Sequence, residues 1–218
     1  MTQSKSEQKR RLGRRGLDPK MLNAAIKATQ DIIDKDGLDA VKARTVAGNV
    51  GISVGSVYNL FGDLEHLIRL ANARTYDALY EIVSAALNSA RQSKKALREE
   101  LMDLAVAYLG FVETHQSAWQ AVLAFNRAQS APPPRWYLDK ELALLKIIEE
   151  AISDFELTRD EAFRHNIARA LWASIHGIVT IAVADGFLMQ PIDKVKEQID
   201  VIITSVSLYL QSTHEEAP

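Results

Sequence analysis

The chain is 218 residues long, 47% hydrophobic and 25% charged, and it contains no cysteine. This is the make-up of an ordinary soluble protein of one or two domains with a substantial core. It excludes disulfide frameworks, thiolate metal sites and cysteine nucleophiles, and it fits a cytoplasmic protein. The uncharged run Ala170 to Ala184 has 15 residues and includes His176 and Gly177, which is short of a membrane span, and the uncharged run Thr45 to Gly62 is broken by Asn49, Ser53, Ser56 and Asn59. No apolar segment follows the first basic residues, so no signal peptide is expected. The net charge of −2 hides an asymmetry: residues 1–75 hold 13 Lys/Arg against 8 Asp/Glu, and residues 76–218 hold 13 against 20. A positive front and a negative rear suit a protein that touches nucleic acid at one end only.

Residues 1–17 carry Lys5, Lys9, Arg10, Arg11, Arg14 and Arg15 and read as a disordered basic arm, either a DNA-contacting arm or a solvated tail. Asp18 as N-cap and Pro19 at the first helical position open a helix. Its buried face is Leu22, Ala25, Ile26, Thr29, Ile32 and Ile33, and Gly37 closes it. Residues 44–61 read as two short helices joined by a tight turn at Gly51, the second opened by Ser53. Their apolar residues, Val46, Ala47, Val50, Ile52, Val54, Val57, Leu60 and Phe61, give each helix one buried stripe. Outward on the second helix remain Ser53, Gly55, Ser56, Tyr58 and Asn59, small or hydrogen-bonding and uncharged. This is the pattern of a helix-turn-helix whose second helix lies in the major groove. A small residue near the helix start lets the backbone approach the groove floor, and polar tips reach bases and phosphates.

Asp63 caps a long fourth helix to about Arg91, carrying Leu64, Leu67, Ile68, Ala71, Leu79, Ile82, Val83 and Leu87. A fifth covers about 94–114, with Leu97, Leu101, Leu104, Ala105, Tyr108 and Phe111 or Val112 inward. Ser117 opens a short sixth over 118–125, and 126–135, with Pro132-Pro133-Pro134, is a loop. A seventh spans about 138–154. Thr158-Arg-Asp-Glu161 reads as a capping box opening the eighth, which runs to about Ala184 and stops near Asp185-Gly186. Pro191 and Asp193 mark the entry to a ninth over about 194–211. No strand alternation is present, so the chain is predicted to be all-α with about nine helices.

The ninth helix carries Val195, Ile199, Val201, Ile202, Ile203, Val206, Leu208, Tyr209 and Leu210, which cover more than one face. One apolar stripe suffices for a surface helix. The eighth carries the small residues Ala170, Ala173, Ser174 and Gly177. Helices 159–184 and 194–211 are therefore expected to form a four-helix interface in a twofold homodimer, the alternative being a central place in a monomeric core. The aromatics Tyr108, Phe111, Trp119, Phe125, Trp136, Tyr137, Phe155 and Trp172 lie in the rear two-thirds. Apolar, aromatic-lined pockets with a few polar groups form between helices of bundles. His176, one turn after Trp172, is a candidate polar group.

Enzyme chemistry finds no complete constellation. Gly48, Gly51 and Gly55 lack the spacing of a nucleotide fingerprint, and no nucleophile elbow occurs. Glu161 and His165 at i, i+4 supply only two metal ligands. Glu149-Glu150 and Glu99-Glu100 read as helix-surface carboxylates. No catalytic residue, metal or cofactor is predicted.

From about Pro19 to Leu70 the chain resembles the DNA-binding domain of the tetracycline-repressor-like (TetR) family. The residues that carry the likeness are Leu22-Asn-Ala-Ala-Ile26 through Ile32-Ile33, Asp36-Gly37, Gly51-Ile-Ser-Val-Gly-Ser-Val-Tyr58-Asn-Leu-Phe61 and Asp63-Leu-Glu-His-Leu-Ile68. Where the family commonly has a lysine early in the fourth helix, this chain has Leu64, which cannot make that phosphate contact. Trp172-x-x-x-His176-Gly177 is similar to a Trp-His-Gly signature of one subgroup.

The resemblance implies a basic arm (1–17), a three-helix DNA-binding domain (18–63) and a helical effector-binding and dimerisation domain (64–214). It implies a cytoplasmic, nucleoid-associated regulator, most simply a repressor, that binds a near-palindromic double-stranded DNA operator. Arg44, Thr45, Ser53, Val54, Gly55, Ser56, Tyr58 and Asn59 are the expected DNA-binding residues. Arg44 and Tyr58 are placed on phosphates and Asn59 and Ser56 on bases, with Val54 an alternative on a thymine methyl. In similar proteins an effector binds between the helices corresponding to the fourth through eighth here. Tyr108, Phe111, Trp119, Phe125, Trp172 and His176 are the expected ligand-binding residues, for an apolar or aromatic small molecule. Effector binding is implied to stabilise a dimer unfit for the operator. The rival readings are a ligand-independent activator or architectural DNA-binding protein, and an α-helical enzyme or lipid carrier.

Overall fold

Helix follows helix along the computed structural model, which describes residues 19–184 and 190–212. The helices are α1 (Pro19–Asp36), α2 (Ala43–Val50), α3 (Val54–Phe61), α4 (Leu64–Gln92), α5 (Leu97–Thr114), α6 (Gln116–Ala128), α7 (Arg135–Ala151), α8 (Glu161–Ala184) and α9 (Ile192–Ser212). Short 3-10 turns occupy Leu38–Ala40 and Glu156–Arg159. No strand occurs among the described residues, and the all-α architecture with nine α-helices among them is as the periodicity predicts. The basic arm, the Asp18 cap and the stop at Asp185-Gly186 lie outside the described residues.

The chain forms two compact units that divide between Asn72 and Ala73. In the first, α1 packs on α2 and α2 on α3. Ala25, Ile26, Ile32, Ile33, Val46, Val57, Phe61 and Leu67 are buried there, the faces that the 3.6-residue period selects. Thr29 is buried among them because its hydroxyl donates to the Ala25 carbonyl at 2.9 Å. In the second unit α5 is central, packing against α6, α7, α8 and α9. Arg98 of α5 bonds Asp200 and Thr204 of α9, and the Arg91 guanidinium donates to the Glu150 carbonyl at 2.7 Å.

Several boundaries differ from the sequence reading, each for a local reason. Residues 93–96 are a turn and not the start of α5. Lys94 takes a left-handed φ of 52°, its N–H returns to the Arg91 carbonyl, and the Lys95 N–H returns to that of Ala90. Leu97 then begins α5, with the Glu99 carboxylate accepting from the Ala96 N–H at 3.1 Å. His115, not Ser117, precedes α6, which runs three residues past Phe125 to Ala128. Pro134 starts α7 three residues early, as its fixed φ allows.

The capping box at Thr158 is not formed. Thr158 is buried in the 3-10 turn, its hydroxyl donating to the carbonyls of Ile152 and Phe155. Asp160 caps α8 instead, accepting from the Phe163 N–H at 2.8 Å. Ile82, one of the apolar residues of α4, is exposed.

Candidate DNA-reading face and effector cavity

The first unit presents α3 on a fixed frame. Gly51 ends α2 with a φ of 75°, and the Ile52 N–H returns to the Ala47 carbonyl at 3.0 Å, a reversal that favours glycine. Ser53 then caps α3: its Oγ accepts from the Ser56 N–H at 3.1 Å and lies 2.8 Å from the Ser56 hydroxyl. Val57 and Phe61 anchor the inner face and are buried. Outward stand Val54 at 38% exposure, Gly55, Tyr58 at 48% and Asn59, with Ser53 exposed at the helix start. Arg44 and Thr45 are exposed at the start of α2, and Ser56 is half-buried. A Cβ added at Gly55 would meet only Ser53 Oγ, at 3.7 Å, so nothing in this fold requires a glycine there. Asp63 opens α4 as expected, its carboxylate accepting from the His66 N–H at 2.6 Å.

The second unit holds an apolar cavity of about 50 Å³, counted over positions open to the centre of a water molecule. Leu79 and Val83 of α4, Leu101, Leu104, Ala105 and Tyr108 of α5, Leu144, Ile147 and Ile148 of α7, Leu171, Trp172 and Ile175 of α8, and Ile203 of α9 line it. No charged side chain is among them. Of the six expected ligand residues, Tyr108 and Trp172 line this cavity. Trp119 and His176 adjoin it through ring contacts with Tyr108 and Trp172, and Phe111 packs on Trp119 one layer further out. Trp172 stacks on His176 at 5.4 Å, Tyr108 lies 5.2 Å from Trp172, and Trp119 packs edge-on to Tyr108 at 5.9 Å and to Phe111 at 6.1 Å. Phe125 is buried on α6 but does not line the cavity. The aliphatic lining was not singled out from sequence, because Leu and Ile at helical spacing look the same whether they fill a core or border a void.

A hydrogen-bond chain runs beside the cavity. The Trp119 indole N–H donates to the Tyr108 hydroxyl at 3.1 Å, which lies 2.7 Å from His176 Nδ1, and His176 Nε2 is 3.4 Å from the Thr180 hydroxyl. Burial, and then the positive charge of Arg127, lowers the His176 pKa and favours the neutral ring. Burial raises that of Tyr108 and keeps the hydroxyl protonated. Gly177 does not mark a tight helix contact among the described residues, since a Cβ there would meet nothing within 4 Å. A second polar set joins α4, α6 and α7: Asn126 donates to the Tyr76 hydroxyl at 3.0 Å and accepts from that of Tyr137 at 2.9 Å.

The i, i+4 pair on α8 is not a ligand set. His165 Nδ1 lies 2.7 Å from the carboxylate of Glu149 on α7, which is only 19% exposed and so no surface carboxylate. No group of three or more His, Asp or Glu suited to a metal occurs among the described residues. No helix among them is long and apolar enough to cross a membrane.

On the outer side of the second unit, α9 divides its apolar residues. Val195, Ile199, Ile203 and Leu210 are buried within the chain, whereas Val201 (64%), Leu208 (60%) and Tyr209 are exposed. Ile181 of α8 is exposed as well, and Ala170 and Ala173 share its open side.

Residues 101–206 match the family model of the tetracyclin repressor-like C-terminal domain. The multidrug binding protein EbrR, solved with imidazole, has the same fold, at 19% identity and a TM-score of 0.63 over 87% of this chain and 96% of that one. A transcriptional regulator from Rhodococcus sp. Rha1 aligns at 18% identity and a TM-score of 0.63 over 86% of this chain and 96% of its own. The TetR family regulator PfmR from Thermus thermophilus does so at 14% and 0.56, over 86% and 97%. No curated protein matches the chain. Residues 101–206 thus form a tetracyclin repressor-like C-terminal domain behind a helix-turn-helix, and the chain has the fold of these solved regulators over most of its length.

Proposed function

We propose that the protein is a homodimeric repressor that leaves a near-palindromic operator when a small apolar effector binds. The observation that carries this reading is the division of α3: Val57 and Phe61 hold it from within, and Val54, Gly55, Tyr58 and Asn59 face solvent with no charge among them. That is the surface of a helix made to enter the major groove. Arg44, Thr45, Ser53, Val54, Gly55, Ser56, Tyr58 and Asn59 form the interface, with Arg44 and Tyr58 on phosphates and Asn59 on a base edge. Residues 1–17 serve as a basic arm, 18–63 as the DNA-binding domain and 64–214 as the effector and dimerisation domain, in a cytoplasmic protein acting on nucleoid DNA. The exposed faces of α8 and α9 meet their copies across a twofold axis, two half-sites then fixing the operator's symmetry.

The effector enters the cavity beside Tyr108, Trp172 and His176. Its chemistry is apolar or aromatic and uncharged, because a buried unpaired charge would find no partner in that lining. The effector must bind the DNA-free form more tightly than the DNA-bound form, since equal affinities shift nothing.

The test is to select DNA from a random pool with the purified full chain, measure sedimentation, and screen uncharged aromatic compounds for a thermal shift. A palindromic selected site, a dimer at micromolar concentration and a compound that both raises the melting temperature and weakens operator binding are expected. A monomer, or a random pool that yields no preferred sequence, overturns the reading. A second reading has its own observation. Functional pockets measure roughly 300–1,000 Å³, far above the space open here, which favours a ligand-independent DNA-binding regulator if no compound shifts the protein.

A further inference from the structure

The surface of α3 also limits which bases it reads. No residue from Thr45 to Gly62 is charged, and none is glutamine. Bidentate recognition of guanine takes Arg or Lys, and cytosine is read by Asp or Glu accepting from its amino group, so α3 has neither tool. Asn is matched to adenine, and an apolar side chain is matched to the thymine methyl.

At about 100° per residue, Val54, Tyr58, Gly55 and Asn59 follow one another across an outward arc of about 140°. Gly55 lies inside that arc, with Val54 at one edge and Asn59 at the other. Its missing side chain serves no packing need among the described residues, since the nearest atom to an added Cβ is Ser53 Oγ at 3.7 Å. The glycine thus leaves a shallow place where bases approach the helix backbone. Val54 is 38% exposed at its rim, although Val57 of the same helix shows that the fold has a buried place for valine one turn on. Ser56 stands at the edge of the interface and away from the bases: it is half-buried, about 60° beyond Asn59 around the helix, and its hydroxyl is bonded to Ser53 at 2.8 Å.

Building on the DNA-reading function above, we propose that α3 selects an A·T-weighted half-site, with Val54 seated on a thymine methyl and Asn59 on an adenine. Arg44 of α2 is the one residue of the two helices equipped for guanine, and it acts outside the α3 footprint.

The experiment uses the operator selected by the full chain. Each thymine is replaced in turn by deoxyuridine, which removes the methyl and nothing else. One thymine per half-site should weaken wild-type binding about fourfold, the value of one buried methyl. In Val54→Ala, which keeps a good helix former at an exposed position, binding should fall and the same deoxyuridine should have no further effect. Val54→Thr, which retains a methyl, should keep part of it. Asn59→Ala should relax the preference at an adenine. A G·C-rich core altered by Asn59→Ala, no thymine that responds, or a full deoxyuridine effect persisting in Val54→Ala would each overturn the assignment. Failure of the pool to yield any preferred sequence is a separate result, and it removes the DNA-reading function itself.

Discussion

Gly55 gives up helix stability that nothing inside its own unit asks for. A glycine in a helix costs about 0.5–1 kcal/mol relative to alanine, and the space for a methyl is open. Gly55→Ala is therefore expected to raise stability by about that amount in thermal melting while lowering operator affinity. Operator binding at wild-type strength would show that DNA does not approach the helix at this residue. His176 offers a second single-residue test. Burial first, and Arg127 second, lower its folded-state pKa below the ordinary histidine value. The unfolded chain then takes up more protons than the folded one as pH drops, so the stability tied to a neutral His176 is complete above about pH 6.5 and declines below it. His176→Gln should lessen the loss of melting temperature between about pH 7.5 and about pH 5.5; equal losses in both proteins would assign that acid sensitivity elsewhere.

Helix boundaries separate what the sequence can say from what only packing decides. Ser53 and Asp63 were legible as caps because each needs only its own side chain and a backbone N–H three residues on. The start of α8 was misread because Thr158 and Asp160 are both good caps by type. The choice between them depends on the Ile152 and Phe155 carbonyls, which Thr158 satisfies in a buried turn. Thr158→Val should accordingly cost about 1–3 kcal/mol, the cost of leaving the buried Ile152 carbonyl unpaired; that of Phe155 keeps the Thr158 N–H. Asp160→Ala should cost about 0.5–2 kcal/mol, as a surface cap does. The reverse order in denaturant melts would restore the capping box. On α9 the doubled apolar pattern was visible, but both stripes are aliphatic. Only its packing on α5 and α8 shows that Ile199 and Ile203 face inward and Val201 and Leu208 outward.

Among the described residues the most exposed aliphatic side chains are Val201 and Leu208 of α9 and Ile181 of α8, where a solitary protein gains nothing from them. Val201→Glu and Leu208→Glu should give a folded monomer, or weaken a dimer strongly, by placing an unpaired charge in the joint. Ile199→Glu, at a fully buried position, should cost soluble protein altogether. Sedimentation with far-UV dichroism separates the two, and a Val201→Glu, Leu208→Glu double variant that sediments as wild type would remove α9 from the interface. The two short helices and the turn between them were legible from sequence because turn chemistry and helical period are local. The apolar cavity was half legible: Tyr108 and Trp172 stand out by type, whereas the void between Leu79, Leu144 and Ile203 exists only once five helices have met.

Ile203 borders that void from the same short stretch of α9 that turns Val201 outward. One segment thus has a neighbour inside the subunit and, under the proposed assembly, another outside it. Over evolutionary time such a segment cannot drift on one side alone. A descendant gene copy that reshapes residues around position 203 to admit a different small molecule would also shift the packing of the helix segment that carries Val201. Divergence in what is sensed would then carry divergence in which sibling chains still pair, and duplicated regulators of this kind would insulate themselves from their parents as a by-product of learning a new signal.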